Sequence, residues 1–286
     1  MQGKSRGPDG GGGRRQPPAR HFDPYGKRTD FSQQDERGEG VIEGRNAILE
    51  ALRAGVVIDK LFIAKGEADA SLKHIASVAR QAGAAVVDAD RRKLDSMSVT
   101  NAHQGVIAMA ACAEYVEISD IVKIAEEKGE ELLIVLCDEI SDPHNLGAII
   151  RTCEASGAHG VVIPKRRSAG LSATVAKASS GAVYHTPIAR VTNMTAAINE
   201  LKKAGVWVFG ASSEGPTALW EADFKGPVAL VVGAEGAGIS RLVRENCDFN
   251  VSIPMYGKIE SLNASVSAAI LMYEAVRQRK VLGIRD

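Results

Sequence analysis

The sequence predicts an α/β protein in which a parallel sheet covered by helices is preceded by a smaller α/β domain. From residue 131 onward, apolar strand-like segments alternate with segments of helical spacing, the pattern of a parallel sheet with helices on both sides. The run Leu132 to Cys137 is apolar at every position, as in a strand buried on both faces. A chain of 286 residues with 45% hydrophobic content is also long enough to bury two cores.

The first 40 residues have a different composition from the rest. They are rich in Gly, Pro, Arg, Asp and Gln, include a glycine run from Gly10 to Gly13, and contain almost no aliphatic side chains. Such a segment cannot offset the entropy of ordering by burying apolar surface. We therefore expect residues 1–40 to be a disordered, slightly basic tail.

Residues 41–112 are predicted to form the small domain. Its first helix has apolar spacing from Asn46 and ends at Gly55. The other predicted elements of this domain are helices at 70–81 and 91–97 and strands at 60–64, 84–88 and 105–111. An acidic helix from Glu117 to Lys128 occupies the predicted linker, residues 113–130.

Residues 131–286 are predicted to form the large domain, in which strands and helices alternate. The predicted strands lie at 132–137, 160–163, 183–190, 206–210, 228–232 and 249–253. The predicted helices lie at 146–156, 171–180, 193–204, 239–245 and 263–280. In open α/β sheets, ligands bind at the carboxyl ends of the strands, so the segments that follow these strands are the candidate site.

Charge gives no direct indication of a partner, because 35 Lys and Arg balance 35 Asp and Glu. Nucleic-acid binding would then need a local basic patch. Lys165-Arg166-Arg167 is the best candidate, and a solvated loop explains it equally well. The four cysteines are far apart without a CxxC pair, which indicates reduced thiols and neither a disulfide framework nor a metal site.

Hydropathy predicts a cytoplasmic protein without a membrane partner. A membrane-spanning helix needs about 20 consecutive apolar residues, and the sequence contains no such run. The amino-terminal segment also lacks the apolar core of a signal peptide.

Three turns beside predicted helices are candidates for the site. Gly233-Ala234-Glu235-Gly236-Ala237-Gly238 follows a strand, but its glycine order is not that of a dinucleotide-binding fingerprint. The glycines alone are explained by a tight turn. Glu235 is not, since a carboxylate in such a turn is costly unless it binds hydrogen-bond donors.

The other two turns carry amide side chains. In Asp142-Pro143-His144-Asn145-Leu146-Gly147, Asn145 is expected to cap the next helix, and Arg151 lies on its second turn as an ion-pair member or an anion contact. His144 is better explained as an exposed turn residue than as a general base. The segment from Ile253 to Asn263 leaves a strand and opens a helix at Ser261 and Asn263, where unpaired N–H groups can bind an acceptor.

In order and spacing, the three turns resemble the signature motifs of the SpoU/TrmH (SPOUT) family of RNA ribose 2′-O-methyltransferases. The resemblance covers residues 131–281. The small domain is similar to the family's ribosomal-protein L30e-like substrate-recognition domain, through Gly44 to Leu52 and His103-Gln104-Gly105. The branch that the chain resembles most methylates a guanosine ribose in 23S rRNA.

The resemblance implies a C-terminal deep trefoil knot, S-adenosylmethionine as cofactor, no metal, an RNA substrate and a homodimer through the knotted domain. It implies that the cofactor is held by Gly233, Gly236, Ile253, Met255 and Leu262. It implies that the reaction centre contains Asn145, Arg151, Glu235, Ser261 and Asn263, with Arg151 beside the cofactor of the partner chain. Since guanidinium keeps its proton up to a pKa above ~12, we expect Arg151 to stabilise developing alkoxide charge.

Several alternatives remain open from the sequence. Within the same chemistry they are a tRNA guanosine 2′-O-methyltransferase and an rRNA methylase that confers antibiotic resistance. In a different class is a non-catalytic RNA-binding or ribosome-assembly protein of the same fold. A nucleotide-dependent oxidoreductase is disfavoured by the glycine order in residues 233–238.

Overall fold

The computed structural model describes residues 40–66 and 69–280. The predicted tail up to residue 39 and the last six residues of the large domain lie outside the described part of the chain. The strands are β1 Val41–Glu43, β2 Ile58–Ala64, β3 Ala85–Ala89, β4 Val106–Ala110, β5 Leu133–Cys137, β6 Gly160–Pro164, β7 Ile188–Val191, β8 Trp207–Ala211, β9 Thr217–Ala218, β10 Val228–Val232 and β11 Phe249–Ser252. The helices are α1 Arg45–Arg53, α2 Ala70–Gln81, α3 Arg91–Met97, α4 Ile118–Lys128, α5 Pro143–Ser156, α6 Ala173–Ala178, α7 Met194–Lys203, α8 Arg241–Asn246 and α9 Ala264–Lys280.

The first four strands form a small mixed sheet in the order β1-β4-β2-β3. Strand β4 pairs antiparallel with both β1 and β2, whereas β2 and β3 are parallel. Helices α1 and α2 cover one face, where Ile48, Leu61 and Ile75 are fully buried. The sequence predicted every element of this sheet except β1, whose three residues are too few to show an alternating pattern.

The other seven strands form one large sheet in the order β7-β6-β5-β10-β8-β11-β9, and all of its neighbouring strands are parallel. The prediction of a parallel sheet is therefore confirmed. Along β5, Leu133 and Val135 join the core beneath α5 and α9, whereas Ile134 and Leu136 join the core beneath α4 and α7. This alternation explains why the whole strand is apolar, since each face is covered by helices.

One predicted strand, 183–190, is wrong in its first half. Residues Ala182–Tyr184 form a short 3-10 helix, and the strand begins only at Ile188. The amide of Val183 donates to the hydroxyl of Ser179, and the amide of Thr186 donates to the carbonyl of Ala182. Both backbone amides are therefore used within a turn and do not pair with a neighbouring strand. Pro187 then has no amide hydrogen to offer a ladder. Strand β9 and the 3-10 helix Leu219–Glu221 were not predicted either.

A buried ion pair joins the two sheets. Asp59 on β2 contacts Arg190 on β7, and their side chains are only 8% and 9% exposed. The hydroxyl of Tyr115 donates to the same carboxylate at 2.6 Å and accepts from the amide of Leu171 at 3.1 Å. A Cβ atom on Gly170 would lie 1.5 Å from Asp59 Oδ2, so the two parts of the chain meet without a gap.

Candidate active site

A pocket of about 520 Å³ lies at the carboxyl edge of the large sheet. It is built from the segments that follow β8, β10 and β11, together with the beginning of α9. These strands are neighbours in the sheet and all run in the same direction, so their carboxyl ends meet at one edge. All five residues predicted to hold a cofactor line this pocket: Gly233, Gly236, Ile253, Met255 and Leu262.

The glycine-rich segment after β10 forms a tight hairpin along the pocket wall. Ala234 and Gly238 exchange two backbone hydrogen bonds, of 3.1 and 2.8 Å. A Cβ atom on Gly233 would lie 2.0 Å from the carbonyl carbon of Gly238, so no other residue fits there without moving the loop. Gly236 has a φ of 76°, a conformation that side chains other than hydrogen seldom adopt. The glycines thus allow the backbone to close around the pocket.

Three polar side chains from distant parts of the sequence meet beside this hairpin. Asn145 donates through Nδ2 to Glu235 Oε1 at 3.0 Å, and its Oδ1 accepts from Asn263 Nδ2 at 2.9 Å. Asn263 Nδ2 also contacts Glu235 Oε1, which closes a triangle of hydrogen bonds. Two amide donors therefore hold the carboxylate of Glu235 in place, although the residue is exposed and does not need them to offset burial.

Asn145 does not cap α5, contrary to the prediction. The cap is Asp142, whose side chain accepts from the amide of His144 at 2.9 Å, and Pro143 occupies the first helical position. Proline is suited to that position because its missing N–H would be unpaired there in any case. The amide of Asn145, which is 8% exposed, is thereby free to point at Glu235.

Asn263 performs the capping role at α9. Its Oδ1 accepts from the backbone amides of Ser265 and Val266, at 2.9 and 3.3 Å, while its Nδ2 faces Asn145 and Glu235. One side chain thus fixes the start of the helix and completes the triangle. Ser261 lies on the exposed segment before the helix, lines the pocket and makes no hydrogen bond among the described residues.

Arg151 is not brought into the triangle. It lies on the exposed face of α5, about two turns beyond the helix start, and its side chain has no hydrogen bond or ion pair within the described ranges. His144 is also exposed. The single chain therefore assembles Asn145, Glu235 and Asn263 and leaves Arg151 on the surface.

The pocket has a distinct electrostatic character. Its walls carry the carboxylates of Glu214, Glu235 and Glu260, and no Lys or Arg is among the lining residues in the described part of the chain. Such a lining favours a cationic ligand and disfavours a phosphate group. Serine hydroxyls supply the remaining polarity, at Ser212, Ser213, Ser252, Ser261 and Ser267.

Sequence reasoning missed one wall of the pocket, formed by Ala211 at the end of β8 and by Ser212 to Glu214 after it. The strand itself was predicted, and the rule that ligands lie at carboxyl strand ends would have pointed to the segment after it. The segment went unnoticed because it lacks the glycines and amide side chains that mark the other turns.

Together, a parallel α/β sheet, a glycine hairpin and an amide–carboxylate triangle form a pocket at the carboxyl edge whose lining suits a small cationic ligand. Residues 131–273 match the SpoU rRNA Methylase family, and residues 41–116 match the family described as RNA 2′-O ribose methyltransferase substrate binding. The chain therefore belongs to the SpoU family and is an RNA methyltransferase, which confirms the resemblance seen in the sequence.

Named relatives and solved structures agree with this assignment. The chain is 47% identical over 240 residues to the "Putative TrmH family tRNA/rRNA methyltransferase YacO" of Bacillus subtilis, which covers 84% of this chain and 96% of that protein. It resembles the SpoU methyltransferase AviRb of Streptomyces viridochromogenes in complex with AdoMet, at 27% identity and a TM-score of 0.54, over 84% of this chain and 90% of that one. An AdoMet-bound rRNA methyltransferase of Sinorhizobium meliloti is 26% identical with a TM-score of 0.52, over 83% and 86%.

None of the helices in the described part of the chain is long and apolar enough to cross a membrane. No group of three or more His, Cys, Asp and Glu side chains there is arranged to hold a metal ion. The four cysteines are not disulfide-bonded.

Proposed function

We propose that this chain transfers the methyl group of S-adenosylmethionine to the ribose 2′-hydroxyl of a guanosine in 23S rRNA, in the cytoplasm. The observation that carries the proposal is the hydrogen-bonded triangle of Asn145, Glu235 and Asn263 beside a carboxylate-lined pocket. We assign residues 131–286 as the catalytic domain, 41–112 as the RNA-recognition domain, and 113–130 as the linker. The match of residues 41–116 to a substrate-binding family supports that division.

The pocket suits S-adenosylmethionine in size and charge. A volume of about 520 Å³ lies within the ~300–1,000 Å³ of typical ligand sites. The sulfonium and ammonium groups of the cofactor give it net positive charge, which matches a lining of three carboxylates without basic residues. The backbone at Gly233, Ile253 and Leu262 would hold the adenosine, with Gly236 and Met255 closing the pocket.

Catalysis by these residues is chiefly alignment. When bound, the cofactor supplies the methyl group from its sulfonium centre. Asn145 and Asn263 hold Glu235 and the pocket hairpin in one arrangement, and Ser261 lies on the pocket rim where a ribose hydroxyl would enter. Correct alignment of reacting groups can remove ~7–11 kcal/mol from a barrier.

Arg151 would act in a homodimer, because a single chain leaves it on the surface. A dimer through the large domain would bring Arg151 to the cofactor of its partner, where a guanidinium would stabilise the alkoxide that develops as the 2′-hydroxyl loses its proton to water. Exposed apolar side chains on α9 support such an interface: Val266 is 45% and Tyr273 50% exposed. The same segment would form the trefoil knot, and the return of α9 onto α5 supports that path.

The deciding experiment is methyl transfer from labelled S-adenosylmethionine to unmodified 23S rRNA and to unmodified tRNA. The modified ribose is then mapped by its resistance to alkaline cleavage. One protected guanosine in 23S rRNA is the expected result. Protection in tRNA alone would refute the assignment of 23S rRNA as the substrate but would confirm the methyl-transfer reaction. The tRNA assay is included because relatives are named tRNA/rRNA methyltransferases. Cofactor binding without transfer to either RNA, or to ribosomal particles, would favour a non-catalytic protein.

A matched pair of variants tests the triangle itself. Asn145→Asp keeps the shape but sets a carboxylate against Glu235, and we expect methyl transfer to fall by roughly 10- to 100-fold, since a hydrogen bond to a charged group contributes about 1.5–3 kcal/mol. The control is Asn193→Asp, which keeps an acceptor at the cap of α7, outside the pocket lining. Equal activity of both variants would remove the triangle from the reaction centre.

A further inference from the structure

The loop that follows β6 lies between the small sheet and the carboxyl edge of the large sheet, which we call the reaction edge. On one side, the amide of Ala169 and the hydroxyl of Ser168 bind the carbonyl of Ile140, at 2.7 and 3.1 Å, and Ile140 stands just before α5 and Asn145. On the other side, Lys60 of β2 donates to the carbonyl of Ser168 at 2.6 Å. Residues 165–171, which we call the seam, therefore connect the small sheet to the segment that precedes α5.

This seam is rich in positive charge. Lys165, Arg166 and Arg167 are consecutive on it, at the carboxyl end of β6. Arg167 is paired with Glu139 at 3.0 Å, and the neighbouring Arg190 is paired with Asp59. In the described part of the chain, Lys165 and Arg166 have no acidic partner. Two cations thus remain without a counter-charge beside the reaction edge.

The electrostatic surroundings of Lys165 are unfavourable to it in the isolated chain. Partial burial first, and then the nearby guanidinium groups of Arg190 and Arg166, lower the pKa of Lys165. A cluster of like charges of this kind costs free energy unless an anion occupies it. Because the chain as a whole is neutral, any attraction for a polyanion must come from such local clusters.

We propose that Lys165 and Arg166 bind the phosphate backbone of the substrate RNA as it passes from the small sheet to the reaction edge. The inference rests on the proposed function, because an RNA held by residues 41–112 has to cross the seam to place a ribose beside Asn145 and Ser261. Beside the seam, the buried Asp59–Arg190 pair joins β2 of the small sheet to β7 of the large sheet. Phosphate contacts of this kind position an RNA without reading its sequence.

The test is the salt dependence of RNA binding by the full chain. For wild type and for the double variant Lys165→Ala/Arg166→Ala, the affinity for the 23S rRNA transcript is measured by filter retention across a range of KCl concentrations. Each lost phosphate contact lowers the slope of log affinity against log salt by about 0.7 for single strands. The magnitude of the slope of log affinity against log salt should therefore be about 1.4 smaller in the double variant than in wild type. This corresponds to roughly tenfold weaker binding at about 0.15 M salt if the affinities coincide near 1 M.

Two controls make the result specific. Lys128→Ala/Lys225→Ala removes two cations that line a pocket beside Leu133, at the amino edge of the large sheet, and should leave the slope unchanged. The charge-conserving Lys165→Arg/Arg166→Lys should restore wild-type binding, since a phosphate accepts from either cation. S-adenosylmethionine affinity, measured by calorimetry, should be the same in every variant.

The outcomes separate this proposal from the proposed function. An unchanged slope in Lys165→Ala/Arg166→Ala, or an equal loss in the amino-edge control, would overturn the role of the seam even if the wild type methylates rRNA. A wild type that methylates tRNA alone would be tested on that tRNA in the same way. A wild type that methylates no RNA would refute the proposed function, while the slope on the 23S transcript would still decide whether the seam binds phosphate.

Discussion

Removal of the Asp59 carboxylate should destabilise the chain more than removal of any exposed charge. In Asp59→Ala, the guanidinium of Arg190 stays buried but loses the one carboxylate that it contacts among the described residues, and the hydroxyl of Tyr115 loses its acceptor. Breaking a buried ion pair from one side costs about 3–5 kcal/mol. Because Arg190 keeps its hydrogen bond to the carbonyl of Gly83 at 2.9 Å, we expect the free energy of unfolding to fall by an amount near the lower end of this range, about 3 kcal/mol.

The assay is thermal and urea unfolding of the full chain. For a chain of this size, about 3 kcal/mol corresponds to a fall in Tm of roughly 6–12 °C. The control is Glu245→Ala, which breaks an ion pair with Arg241 in which both side chains are more than half exposed, and should cost no more than about 0.5 kcal/mol. The double variant Asp59→Ala/Arg190→Ala should recover part of the loss, because the uncompensated charge is gone.

A fall in Tm of less than about 2 °C for Asp59→Ala would refute this reasoning. It would mean that Arg190 reaches water when its partner is removed, and that the two sheets are not tightly joined. An Asp59→Ala/Arg190→Ala variant as unstable as the sum of the two single variants would show that the two residues do not interact. Either result would also mean that this ion pair does not hold the two sheets together beside the seam.

Three smaller predictions follow from local geometry. Gly233→Ala should abolish cofactor binding in calorimetry without unfolding the chain, whereas Gly257→Ala, where a Cβ meets no atom within 4 Å, should bind normally. Asp142→Ala removes the cap of α5 and should lower the free energy of unfolding by about 1 kcal/mol in urea titrations, and an unchanged value would contradict the capping assignment. Burial lowers the pKa of His159 below its usual 6.5, so the unfolded chain binds its proton first and stability should fall as pH drops below about 6.5. His159→Asn should remove this loss of stability at acid pH. If the free energy of unfolding depends on pH in the same way in wild type and variant, the prediction for His159 is wrong.

The sequence predicted the sheet because its signals are local. A buried parallel strand such as β5 is apolar at every position, and a helix such as α2 repeats its apolar residues along one face. Failures occurred where local signals were ambiguous. Residues 183–186 are compatible with a strand, and only the hydrogen bonds back to Ser179 and Ala182 make them a turn.

The resemblance, and not a local pattern, supplied the candidate residues of both the pocket and the triangle. The five residues that it implied for the cofactor all line the pocket. Asn145 is separated from Glu235 by 90 residues and from Asn263 by 118, and no local pattern states that they touch. Asn145 was assigned as a cap because its amide suits that role, although Pro143 already indicated Asp142.

The distribution of charge at the reaction edge separates the two substrates of the proposed reaction. The pocket presents Glu214, Glu235 and Glu260, which attract a cationic cofactor and repel phosphate. In our proposal, the seam presents Lys165 and Arg166, which attract phosphate. A chain with uniform positive charge would bind RNA over its whole surface, whereas a neutral chain with opposite local charges directs each substrate to its own side of Asn145. Zero net charge is therefore compatible with an enzyme that acts on RNA, provided that the cations lie along the path of the RNA backbone.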